Sequence, residues 1–160
     1  MNMENKNYGL NLGLEKQHQK DTDWIFGATS QGCIAQIPQA ERVFYLPKGE
    51  VQRGSEDMMD CASRGPINLL EAKFTYLYKN NLLSSENKKW LFNNGYIQNG
   101  VVTFSDAFVA INSHTTRQGN SMIAPLEAIH KQGLIPKKIL PLEPWMRWSD
   151  YHNPARITPS

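Results

Sequence analysis

The chain contains no run approaching the roughly 18 apolar residues that a membrane-spanning helix needs, so no membrane partner is expected. Charge of one sign is equally scarce, with 17 Lys and Arg against 15 Asp and Glu leaving a formal charge of +2. The basic residues are scattered apart from short pairs such as Lys88-Lys89 and Lys137-Lys138, which solvated helix faces also produce, and no nucleic-acid partner is expected. Cysteine is limited to Cys33 and Cys61. The opening residues, MNMENKNYG, lack the apolar core and cleavage pattern of a secretory signal, so both thiols are expected to be reduced and the chain made in the cytoplasm. Cys33, Cys61, His114 and His130 show no short paired spacing that would preorganise a tetrahedral site, and neither a metal nor another cofactor is expected. Internal repeats and low-complexity arrays are absent.

What is present suits one folded domain. At 160 residues, with 40% apolar and 20% charged, the chain is long enough for a sizeable core. Residues 1–22 are rich in Asn, Lys, Gln and Glu and read as a polar arm, and 23–160 as the domain. Trp24, Ile25 and Phe26 open the apolar sequence, and 33–37 and 43–46 read as short extended segments ended by Pro38 and Pro47. Ile67, Leu70, Phe74, Leu77 and Tyr78 recur at helical spacing, predicting a helix over 66–82 with one apolar stripe. A short helix over 86–92 follows, ended by Asn93, Asn94 and Gly95, and then a hairpin turning at Asn99-Gly100. Ser105 reads as the N-cap of a further helix, with Phe104 and Val109 as a hydrophobic staple. Ser121 caps another that contains Ile123, Leu126 and Ile129 and stops at Gly133. The proline-rich tail carries Trp145, Trp148 and Tyr151 and is expected to lie ordered over the body. The fold class is therefore mainly α, or α+β with a small hairpin.

The residue with the most chemistry is Cys61, at the entrance to the helical region. In the first turn of a helix, exposed backbone N–H groups and the positive end of the helix dipole would lower its pKa and favour a nucleophilic thiolate. Gln52 is then a candidate to donate its side-chain amide to a developing oxyanion beside the Cys61 backbone N–H. The plain reading is a small apolar cysteine packed inside and a glutamine in a turn. Two geometries remain open: Asp60 caps a helix that begins at Cys61, or the regular helix begins at Pro66 with Cys61 in a preceding turn.

Trp24-Ile25-Phe26-Gly27, Tyr45-Leu46-Pro47, Gln52, Met59-Asp60-Cys61 and Asn68-Leu69-Leu70-Glu71 stand in an order that resembles the papain-like cysteine peptidases, especially divergent phage members. Phe104-Ser105-Asp106-Ala107-Phe108, Gly119-Asn120-Ser121, Gly133-Leu134-Ile135-Pro136 and Leu140-Pro141 continue the likeness. It covers most of the chain after the polar arm and matches the left, mainly helical half of that fold. The resemblance implies Cys61 as nucleophile, Gln52 as oxyanion-hole glutamine, and a peptide or isopeptide bond as substrate. The family's histidine and asparagine lie about 130–150 residues after the cysteine, which here falls at about residue 191 or later. None of His18, His114, His130 and His152 inherits that role by position. Three functions follow: the N-terminal half of a peptidase completed by a missing domain or a partner, inactive alone; a degenerate papain-like domain in a phage virion or other assembly; or a small protein-binding module. Trp145, Trp148 and Tyr151 either complete the core or face a protein partner.

Overall fold

The computed structural model describes residues 44–45 and 52–157. The expected polar arm, the 33–37 segment, Cys33 and His18 lie outside those residues. Phe44 and Tyr45 form a turn where an extended segment was expected, with the Tyr45 ring set edge-on to Tyr76 at 5.1 Å.

The described chain is mainly helical, with one small antiparallel hairpin. α1 (Cys61–Lys79) and α2 (Ser85–Asn93) precede β1 (Ile97–Gln98) and β2 (Val101–Val102); α3 (Asp106–Asn112), α4 (Ile123–Gln132) and the short α5 (Trp148–Tyr151) follow. Helical 3-10 turns occupy Lys137–Ile139 and Pro154–Arg156. α1 begins earlier than the apolar periodicity indicates, at Cys61 itself, and runs through Pro66. Pro66 cannot donate to the Ala62 carbonyl, a fault that ordinarily costs about 3 kcal/mol in a helix interior. Burial of Ala62, Pro66 and Ile67 against the core offsets it.

Three helices end in the same way. After α1, α2 and α3 the chain passes through a left-handed residue, Asn81, Gly95 and His114, with φ of 58°, 77° and 56°. In each case the next N–H reaches back to the last helical turn: Leu82 to Leu77 O, Tyr96 to Leu91 O and Thr115 to Ala110 O. This is the Schellman arrangement, which satisfies carbonyls that would otherwise lack donors. At the exposed His114 a side chain gains nothing from the conformation, so His114→Gly is expected to raise stability by about 0.5–1 kcal/mol, as read from a thermal melt.

The hairpin pairs Ile97 with Val102 and Gln98 with Val101, turning on Asn99 and Gly100, both at positive φ as a type I′ turn requires. So short a ribbon is not stable alone. Its inner edge is completed by α1 rather than by a third strand. Thr75 Oγ1 accepts from Val102 N at 2.9 Å and Glu71 Oε1 from Phe104 N at 2.7 Å. Two side chains four residues apart on the helix thus substitute for strand carbonyls two residues apart on the chain. The core gathers Ile67, Val102, Phe104, Val109, Met146 and Tyr151, with Leu70, Phe74 and Tyr78 of the expected stripe packed on it.

Ser105 caps α3 through Phe108 N at 3.1 Å, and both residues of the expected staple, Phe104 and Val109, are buried. Ser121 accepts from Ala124 N at 3.1 Å, so it serves the start of α4 although the regular helix begins at Ile123. Leu126 lies within α4, as expected, and is 52% exposed. Of the tail aromatics, Tyr151 is fully buried, Trp148 half-buried and Trp145 exposed. No helix among the described residues is long and apolar enough to cross a membrane.

Candidate functional site

Cys61 is the first residue of α1, so its backbone N–H has no partner within the helix and points out of the helix start. Gln52 lies against it. With its carbonyl oxygen turned to the helix, the Gln52 amide accepts from Cys61 N and Asp60 N, both at 3.1 Å. The structure therefore brings Gln52 and the Cys61 N–H together, with the glutamine as an acceptor that caps the helix. Donation to an oxyanion requires the amide to release these two N–H groups and present its NH2 in their place.

The thiol is half-buried, and its pKa is raised rather than lowered. Burial is the chief cause, followed by the carboxylates of Asp60 and Asp57, and together they outweigh the backbone N–H groups of Ala62 and Cys61. This corrects the expectation of a thiolate stabilised by the helix start. The backbone N–H groups at the helix start favour the thiolate as expected, but burial and the neighbouring carboxylates outweigh them.

Asp60 does not cap α1 with its side chain. It turns inward instead, fully buried, where Oδ1 accepts from Arg64 Nε at 2.9 Å and Oδ2 accepts from the Tyr151 hydroxyl. Arg64 also faces Asp106 at 3.7 Å, and Lys137 approaches the same carboxylate at 3.9 Å. Burial works against the Arg64 charge, but Asp106 and Asp60 prevail and hold its pKa above the ordinary range. Asp106 itself is pushed up to about 7, by burial first, with Arg64 opposing.

The C-terminal segment straps down the loop that leads to Cys61. Ser55 donates from both its backbone N and its Oγ to Met146 O, at 2.9 and 2.8 Å. Glu56 accepts from Trp148 N at 2.9 Å and pairs with Arg117 at 3.0 Å, whose guanidinium lies over the Trp148 ring. His152 donates from Nε2 to Met58 O at 2.8 Å and stacks on Trp148 with ring centroids 4.4 Å apart. Its other nitrogen, Nδ1, is buried without a partner among the described residues, and burial holds the ring's pKa below the ordinary histidine value. Between these anchors Met59 sits at φ 55°, a strained conformation for a residue with a side chain. Gly54 permits the close approach, because a Cβ there would stand 2.5 Å from Met146 O.

The remaining histidines lie elsewhere. His114 lines a polar cleft of about 520 Å³ between α3 and α4, together with Asn112, Thr116, Glu127 and Lys131. His130 is exposed on α4. The buried set of Asp60, Arg64, Asp106 and Tyr151 escaped the sequence reading. Its one local signal was the four-residue spacing of Asp60 and Arg64, which puts them on one helix face. No protein-family model, curated protein or solved structure matches the chain.

Proposed function

We propose that this chain is the cysteine-bearing helical half of a papain-like thiol peptidase, acting on a peptide or isopeptide bond through an acyl-enzyme on Cys61. The observation that carries the reading is the convergence of the Cys61 thiol, the Cys61 backbone N–H and the Gln52 amide at the start of a 19-residue helix. Attack by the thiolate sulfur on a substrate carbonyl forms the carbon–sulfur bond and places negative charge on the carbonyl oxygen. The two N–H donors then stabilise that charge, once the Gln52 amide has turned over. A histidine from a second domain or partner chain would take the thiol proton and return it to the leaving amine.

An exposed apolar face supports completion by another folded unit. Cys61, Gly65 and Leu69 follow one side of α1 at four-residue spacing; Leu69 is 72% exposed, and Met122, whose methyl lies beside Gly65, is 40% exposed. The raised thiol favours a second reading, a degenerate papain-like domain serving as a structural protein in a virion or other assembly, where Cys61 is a packed relic.

Incubation with an activated peptide ester at pH 9, followed by intact mass measurement, separates the two. The peptidase half is expected to take up one acyl group, lost in Cys61→Ala, without sustained turnover. Absence of an adduct on Cys61 would leave the assembly reading. Rapid Cys61-dependent turnover would place a working base within this chain.

A further inference from the structure

Every polar group of Asp60, the residue before the cysteine, is committed. Its carboxylate oxygens go to Arg64 and Tyr151, its N–H to Gln52, and its carbonyl accepts from Ser63 N and Arg64 N at 2.9 and 3.0 Å. Cys61 thus hangs from an anchored residue. One of the anchors, Tyr151, arrives from the C-terminal strap 91 positions away. Tyr151 is fully buried, and phenylalanine would fill the same space in the core, so the hydroxyl is there for its bond to Asp60.

We propose that Tyr151 is a positioning residue for Cys61: by donating to Asp60 it holds that carboxylate turned into the core and draws its charge away from the neighbouring thiol. The proposal rests on Cys61 being the reactive group assigned above. Among the described residues, the charges facing the thiol are Asp60 and Asp57; those facing Asp60 include Arg64, Asp106 and His152. Arg64 is shared with Asp106, so it cannot neutralise Asp60 by itself, and the tyrosine hydroxyl supplies the second donor. The same bond ties the strained Met59 turn to the strap, which fixes where the Cys61 N–H points relative to Gln52.

The test is alkylation of Cys61 by iodoacetamide as a function of pH, read by peptide mass spectrometry that separates Cys61 from Cys33. Tyr151→Phe is expected to move the midpoint up by about half to one pH unit, making alkylation about three- to tenfold slower at pH 8. Asp60→Asn is expected to move it down, because the adjacent charge is removed. Opposite shifts distinguish this role from simple loosening of the strap, which would expose the thiol in both variants and move them the same way. A folded Tyr151→Phe with the wild-type midpoint, or shifts of one sign in both variants, would overturn the proposal. Should Asp60→Asn fail to fold, the Tyr151→Phe midpoint decides alone. Alkylation needs neither a histidine nor turnover, so this result is independent of acylation by the peptide ester, whose failure would remove the peptidase reading instead.

Discussion

Arg64→Met is expected to cost about 3–5 kcal/mol, a large part of what holds a domain of this size together. Arg64 is 8% exposed, and its guanidinium faces both Asp60 and Asp106 inside the protein. Methionine fills much of the volume but takes the guanidinium from two buried carboxylates, leaving Asp60 the Tyr151 hydroxyl and Asp106 the Lys137 ammonium at 3.9 Å. Each must then remain ionised in a poor solvent or bind a proton. The loss is therefore expected to be greater at pH 8 than at pH 5, where Asp106, its carboxyl pushed up to about 7, holds a proton and no longer needs the guanidinium. Urea unfolding of the variant and the wild type at the two pH values measures it. An equal loss at both would mean that packing, and not charge, is what Arg64 contributes.

The second large effect runs in the opposite direction. Glu71 is 2% exposed, and burial pushes its carboxyl up to about 7 from an ordinary 4.5, against the bond from Phe104 N and the attraction of Arg64. Between those pH values the folded protein holds a proton that the unfolded chain has released. Its contribution to stability is thus fully present below pH 4.5 and is lost as pH rises through 7. Glu71→Gln keeps an oxygen to accept from Phe104 N but carries no charge. It is expected to match the wild type below pH 4.5 and to exceed it by about 2 kcal/mol at pH 8. The gain includes relief of Asp106, whose ionisation Glu71 also opposes. His152, with its depressed pKa, makes both proteins less stable as pH falls below 6.5 and cancels in the difference. A variant less stable than the wild type at pH 8 would show that the charge at Glu71 is needed to close the hairpin edge.

Both effects come from polar groups in the core, and these were the least legible part of the chain. Local order was plain. The Asn99-Gly100 turn, the Ser105 cap, the stop at Gly133 and the stripe from Ile67 to Tyr78 each depend on residues within a few positions of one another. The start of α1 was not plain, because a proline at its sixth position argues locally for a break, and burial against distant residues decides that the helix continues. Cys61 and Gln52 were picked out as partners from their order in the chain, and the structure sets the Gln52 amide against the Cys61 N–H. The state of the thiol differs from the expected thiolate because the helix start is a local feature, whereas the burial of Cys61 and the charges of Asp60 and Asp57 that oppose ionisation act only in the folded chain.

The sequence by itself determined α2, α3, α4 and the body of α1, the hairpin, the roles of Ser105 and Ser121 and the candidate cysteine, since propensity, turn chemistry and hydrophobic period act over short separations. Tertiary structure alone decided where the charges went. Asp60 meets Tyr151 and Glu71 meets the backbone of Phe104 across 91 and 33 positions of chain. Whether a carboxylate is a solvated cap, a core hydrogen-bond acceptor or a neighbour that suppresses a thiolate depends on its desolvation and its partners, and both exist only after folding.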